Sequence, residues 1–254
     1  MTMRRILVAA LIVLAVGLIC PLAYAEESST NSDWEFSLAP MYLWAVSIDG
    51  DMTVKGNDVE MDVPFNEIFD NLKGALTFHF EGVHKQRWGF FTDLNYIVLN
   101  PEESTPVGDI DIDFTEIMFE LAGFYRITEG AHAIDGLGGL RYSSMDVDVD
   151  FPASLPLDVD EREDWVDPYF GLRWQWMFAE KWATRLRGDI GGFGVGSDLT
   201  WNLVGKVDFK PWKHVSLFGG YRALYQDYST GSGSNKFAFD ATMHGPLLGL
   251  NITW

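Results

Sequence analysis

The chain has 254 residues and a formal net charge of −19, with 47% hydrophobic residues, 15% aromatics, 25 glycines and one cysteine. The acidic excess argues against nucleic acid and anionic membrane patches as partners and favours divalent cations. Beyond an N-terminal run, no apolar stretch approaches the roughly 18 residues of a spanning helix, so a membrane crossing would need a closed sheet.

In chain order, Arg4 and Arg5 precede an apolar run from Ile6 to about Cys20, and Ala23-Tyr24-Ala25 supplies the small-x-small pattern of signal peptidase. Residues 1–25 therefore read as an export signal and 26–254 as a single barrel domain. Cys20 falls inside the signal, and Ile19 in front of it does not suit a lipoprotein cleavage site. The exported chain is expected to be cysteine-free and unlipidated.

Period-two alternation, broken at turn residues, then predicts about ten strands, near 34–47, 74–85, 88–100, 110–126, 131–147, 164–178, 181–192, 198–209, 213–227 and 236–254. Eight and twelve are the neighbouring even counts. The connections at Lys85-Gln86-Arg87, Glu129-Gly130, Glu180-Lys181 and Pro211-Trp212-Lys213 are short, and the alternate ones are mostly longer and acidic. That asymmetry belongs to outer-membrane barrels, whose short turns and termini face the periplasm. The first long connection, about 49–73, holds the amphipathic run PFNEIFDNL from Pro64 to Leu72, read as a short helix capping or flanking the outer mouth. The last strand ends GPLLGLNITW, with Leu248, Leu250, Ile252 and Trp254 on one face and Gly249, Asn251 and Thr253 on the other.

Parity assigns the faces. Leu38, Tyr42, Leu76, Phe78, Phe80, Leu121, Leu140, Leu172, Leu186, Leu203 and Leu217 fall outward. Nearly every mid-strand charge falls inward: the acids Glu81, Asp93, Glu116 and Glu120 on the early strands, Asp135, Asp167 and Asp189 later, and the bases Arg141, Arg173, Arg185, Arg187, Lys206 and Arg222 on the later strands. A soluble sandwich would bury the leucines and expose the charges. The inverted pattern predicts an all-β, antiparallel, up-and-down transmembrane barrel whose interior acids and bases pair across the lumen. A wide porin is excluded by such a plug.

The run GGFGVGSDLTW (191–201), then GYRALYQDY (220–228), then GPLLGL (245–250) before a terminal aromatic, resembles a family of uncharacterised proteobacterial outer-membrane β-barrel proteins. APMYLW (39–44) and GLRY (139–142) are similar to its earlier strands. The resemblance implies the fold and an outer-membrane location, and carries no catalytic residues. Proteins of this kind commonly end on Phe and are inserted by the barrel-assembly machinery; this chain ends on Trp254.

Three patterns stand as candidate sites. Asp109, Asp111 and Asp113 alternate with apolar residues, as do Asp146, Asp148 and Asp150 one hairpin later. Facing rows of carboxylates call for counter-ions, and hard oxygen donors suit Ca²⁺ or Mg²⁺ shared with lipopolysaccharide phosphates at the outer rim; a solvated hairpin that resists edge pairing is the plainer reading. His79, with Glu81 and Asp93, could form an acid-oriented imidazole, but no serine is placed as its nucleophile, and a member of the interior charge network is the favoured role. His84, His132 and His214 fall near periplasmic ends, and His244 is expected to stand alone on the last strand. The glycine-rich segment 191–198 lacks the strand–loop–helix setting of a phosphate loop and reads as a tight hairpin. The expected function is a non-enzymatic structural or surface-interaction protein of the Gram-negative outer membrane, in contact with lipid and lipopolysaccharide. A narrow passive channel is the alternative, and a rim hydrolase, omptin-like or lipid-modifying, comes third.

Overall fold

The first of the ten barrel staves is broken into three pieces, β1 (Trp34–Ala39), β2 (Tyr42–Trp44) and β3 (Ser47–Val54), in the computed structural model, which describes residues 33–105, 108–150 and 158–254. The expected export signal at 1–25, with Cys20, lies outside the described residues. β4 (Asn57–Val63) folds back on β3, and the helix α1 (Phe65–Asp70) follows it. Next come β5 (Leu72–His84), β6 (Trp88–Leu99), the short β7 (Glu102–Thr105) and β8 (Gly108–Thr128). The chain continues through β9 (His132–Asp150), β10 (Asp158–Ala179), β11 (Trp182–Gly192), β12 (Leu199–Phe209), β13 (Val215–Thr230) and β14 (Phe237–Thr253).

Each long strand pairs antiparallel with the next, and β14 returns to the first stave through Leu38↔Ile252, Leu43↔Leu248 and Ile48↔Met243. The sheet is therefore a closed ten-stave barrel. Closure leaves no backbone edge facing hydrocarbon, which is the condition for crossing a membrane with strands. No helix among the described residues is long and apolar enough to cross one.

Both kinds of turn follow from local chemistry. At the short-turn end, Lys85 and Gln86 take φ values of 48° and 53°, and Arg87 N–H donates to His84 O at 2.9 Å, a type I′ geometry reached without glycine. At the other end, Gly192, Phe193 and Gly194 carry φ values of 87°, 57° and 72°, which turns segment 191–198 back on itself.

The first stave breaks where Pro40 removes a backbone donor from the ladder. One consequence reverses an expectation: Ala39 and Tyr42 both point into the barrel, so Tyr42 is an interior residue rather than a lipid-facing one. Elsewhere parity holds. Leu121, Leu140, Leu172, Leu186, Leu203, Leu217 and Leu248 are 45–63% exposed on the outside, whereas Asp135, Arg141 and Asp167 are fully buried within. Only lipid outside makes that inversion favourable, since each exposed leucine in water would forgo about 1.5–3 kcal/mol of burial.

Aromatic rings band both ends of the leucine zone. Near the short turns, Trp34 packs edge-on to Trp88 at 5.1 Å, Trp174 stacks on Trp176 at 6.0 Å and Trp182 meets Phe209 at 4.5 Å. Toward the long connections, Trp201 stacks on Tyr225 at 5.9 Å and Phe170 on Phe193 at 5.6 Å. Such rings prefer the headgroup level. The strand ends beyond them, in β3–β4 and in β7 to β10, project past the lipid.

Candidate functional site

The lumen is layered along its axis. Nearest the short turns, Asp135 of β9 accepts from Arg126 Nε at 2.8 Å, Arg173 Nε at 3.0 Å and Gln175 Nε2 at 2.8 Å. Arg173 also pairs with Glu81 of β5 across the barrel, its guanidinium 4.2 Å from the Phe124 ring centroid. His79 Nδ1 lies 3.1 Å from Asp93 Oδ2.

Mid-barrel, Glu120 of β8 is the hub. It accepts from Arg141 at 3.3 Å, Arg187 at 2.6 Å, Arg222 at 2.6 Å and the Tyr169 hydroxyl at 3.2 Å. Asp189 binds Arg141 at 2.8 Å, Arg187 at 2.8 Å and Asn202 at 2.9 Å. Arg222 reaches Asp93 at 3.5 Å, and Tyr42 donates to the same carboxylate at 2.9 Å. Acids of β5, β6 and β8 thus meet bases of β9, β10, β11 and β13 across the lumen. Ionised groups in so confined a space are tolerable only when every one is answered, because leaving one unanswered costs several kcal/mol.

Above the ionic layer the filling changes character. Met118, Met145, Leu224, Met243, Phe237 and Phe239 are nearly or fully buried, Trp165 stacks on Tyr228 at 4.2 Å, and Ile68 of α1 joins the same apolar cluster. The helix expected from the PFNEIFDNL run is present, and Ile68 is its buried side chain. The expectation was an ion-pair network across the lumen; the outer half is filled instead by this apolar layer.

Four expected network members stand elsewhere. Glu116 faces inward but lies at the apolar level, its Oε1 without a hydrogen-bond partner among the described residues. Asp167 binds the 191–198 hairpin instead of a base, accepting from Ser197 N at 2.6 Å and Ser197 Oγ at 2.8 Å. Arg185 meets Asp208 at 3.4 Å, a carboxylate that parity with Asn202 and Lys206 could have flagged. Lys206 lies over the Phe218 ring, 4.7 Å from its centroid.

The aspartate rows do align: Asp111 is opposite Asp150, and Asp113 is opposite Asp148, which is in turn opposite Asp160 of β10. Yet Asp113 is engaged by Lys73 Nζ at 3.3 Å and Asn100 Nδ2 at 3.1 Å. The side chains of Asp109, Asp111 and Asp150 lie outside the described residues. Among the described residues, no three His, Cys, Asp or Glu side chains form a group suited to a metal ion, Asp146 and Asp148 included.

His244 is not alone, contrary to expectation. On the outer face it bonds the Tyr221 hydroxyl through Nδ1 at 2.6 Å and pairs with Asp49 through Nε2. Asp49 is 195 residues away in the chain and is brought alongside only by closure of the barrel. Above the Trp201–Tyr225 pair, beyond the span, Asp227 faces Asp240 across the ladder; burial first, then Asp240 and Asp198, push its carboxyl above the usual range.

No protein-family model and no curated protein sequence matches this chain. Among solved structures it is similar to Ail, the attachment invasion locus protein of Yersinia pestis, in complex with the heparin analogue sucrose octasulfate, at 13% identity over 87% of this chain and 97% of that one, with a TM-score of 0.37. It is also similar to the outer membrane protein OprG of Pseudomonas aeruginosa, at 11% identity over 87% and 95% of the two chains, TM-score 0.35. Neisserial surface protein A gives 11% identity over 87% and 97%, TM-score 0.32.

Proposed function

We propose that the protein is a sealed barrel of the Gram-negative outer membrane that serves as a structural and surface-interaction protein without enzymatic activity. The observation that carries this reading is the double closure of the lumen, by the Glu120 hub at mid-height and by the methionine and phenylalanine layer above it. Lipid and lipopolysaccharide contact the leucine zone and its outer aromatic band, the barrel-assembly machinery inserts the chain, and residues 1–25 direct its export. The 191–201, 220–228 and 245–250 motifs support kinship with the outer-membrane β-barrel family that they resemble. At the acidic outer extensions, Ca²⁺ or Mg²⁺ shared with lipopolysaccharide phosphates offsets the facing aspartates.

Planar-bilayer recording tests the sealed lumen. The protein is expected to give no discrete conductance steps, and Glu120→Ala combined with Met243→Ala is expected to open small ones. Steps in the unaltered protein would instead make it a narrow channel. For the outer cations, calorimetric titration with Ca²⁺ is expected to give heat that disappears in the Asp111→Asn, Asp148→Asn, Asp150→Asn triple variant; identical traces would remove the cation from the function.

A further inference from the structure

Below the Glu120 hub, the short-turn half of the lumen is hollow. A cavity of about 90 Å³, open on one side, is walled by Phe91, Phe218, Val204 and Leu247, with Arg185, Lys206 and the paired charges Glu81, Asp93, Arg173 and Arg187 also on its lining. A second space of about 120 Å³ at the short-turn mouth shares Glu81 and Arg185 with it and is lined by Ser37 and Thr253. The hollow therefore has an entrance on one side and a closed roof on the other.

Its charges do not balance locally. Arg185 and Lys206 are direct cross-strand partners on β11 and β12, and like charges so placed repel. The carboxylate beside them is Asp208, 3.4 Å from Arg185 Nε. Among the described residues, no carboxylate pairs with Lys206, whose ammonium instead sits over the Phe218 ring. The other charges on the lining answer one another or the hub, Glu81 with Arg173, Asp93 with His79 and Arg222, and Arg187 with Glu120 and Asp189, so that with Asp208 on Arg185 the ammonium of Lys206 is the charge left over beside the apolar wall. A half-enclosed ammonium with no counter-charge is costly, and an anion entering from the mouth removes that cost.

We propose that this cavity binds a small organic monoanion, a carboxylate on an apolar body, with the carboxylate between Lys206 and Arg185 and the body against Phe91, Phe218, Val204 and Leu247. The single spare charge selects a monoanion. The apolar walls select against a fully hydrated ion, because such an ion would lose its water shell to surfaces that return no hydrogen bonds. The pocket is blind and needs no open lumen, so it is compatible with a sealed barrel and does not depend on the surface role.

The test is calorimetric titration of the full chain in a neutral detergent, with hexanoate as the probe and hexanol and inorganic phosphate beside it. Saturable hexanoate binding is expected in the unaltered protein and in Lys206→Arg. In Lys206→Met it should weaken about tenfold or more, the loss that goes with one charge-assisted hydrogen bond. Hexanol and phosphate should each bind more weakly than hexanoate. Should Lys206→Met fail to fold, Val204→Phe, which fills the wall and leaves every charge in place, is expected to abolish binding. Hexanoate affinity unchanged by the folded variant, absence of saturable binding, or phosphate binding as tightly as hexanoate would each overturn the proposal.

Discussion

Glu120 answers three guanidinium groups and a phenol at once, so its charge holds four staves in register from a single side chain. Glu120→Gln keeps the shape and removes the charge, leaving Arg141, Arg187 and Arg222 facing one another; about 3–5 kcal/mol of stability should be lost. Urea unfolding in lipid vesicles, followed by tryptophan fluorescence, reads that loss. Glu129→Gln, which breaks only an exposed contact with Arg87 in a turn, should leave the midpoint unmoved. At this scale the sequence was informative about direction and silent about partners. Parity faced Asp167 and Lys206 inward correctly, but the groups they meet, Ser197 and Phe218, belong to a loop and a neighbouring stave whose heights depend on the stagger of the whole barrel. The apolar upper lumen was missed for another reason. On the lumen-facing parity Met118 lies between Glu116 and Glu120, and Met145 follows Arg141 and Ser143, so the inward row mixes polar and apolar residues and does not by itself mark a change of layer.

Strand ends and junctions set the next scale. Where β13 and β14 leave the span, Asp227 stands opposite Asp240, and its raised pKa means that the folded state holds the proton more tightly than the unfolded chain does. Stability from this pair is therefore present at low pH and is lost as the pH rises through the elevated value, above the usual carboxylate range near 4. Asp227→Asn should stabilise the barrel at neutral pH and flatten the dependence between mildly acid and neutral conditions. A midpoint that falls with Asn at pH 7 would contradict this. On β14, where it meets the first stave, a Cβ at Gly245 would lie 1.9 Å from the backbone oxygen of Ala45, whose N–H donates to Pro246 O at 2.9 Å. Gly245→Ala must spread two backbones apart, at a cost on the order of 1–3 kcal/mol, and should lower the refolding yield. Nine of the ten strands were legible because a long alternating run leaves one solution. The first was misread beyond Ala39, because its alternation was carried straight through Pro40, whose missing N–H breaks the ladder and resets parity.

The molecule as a whole is a cylinder turned inside out relative to soluble proteins, and its tryptophans report that directly. Trp182, 42% exposed near the short turns, should be quenched by brominated lipids, whereas Trp165, stacked on Tyr228 inside the lumen, should not. Trp182→Phe is expected to reduce the quenchable fraction and Trp165→Phe to raise it; equal effects would contradict the inverted arrangement. That arrangement was readable from composition along single strands, since leucine and arginine alternate within one segment at 185–187. The break at Pro40 and Met41 bears on mechanics as well as on side-chain direction. Where other neighbouring staves share long ladders, the first meets β5 only through Trp34–Ala39 and meets β14 in three pieces, through Ser37↔Thr253 and Leu38↔Ile252, then Tyr42–Trp44, then β3. Stiffness around the circumference is thus uneven, and hydrogen exchange is expected to be fastest along the two flanks of this first stave.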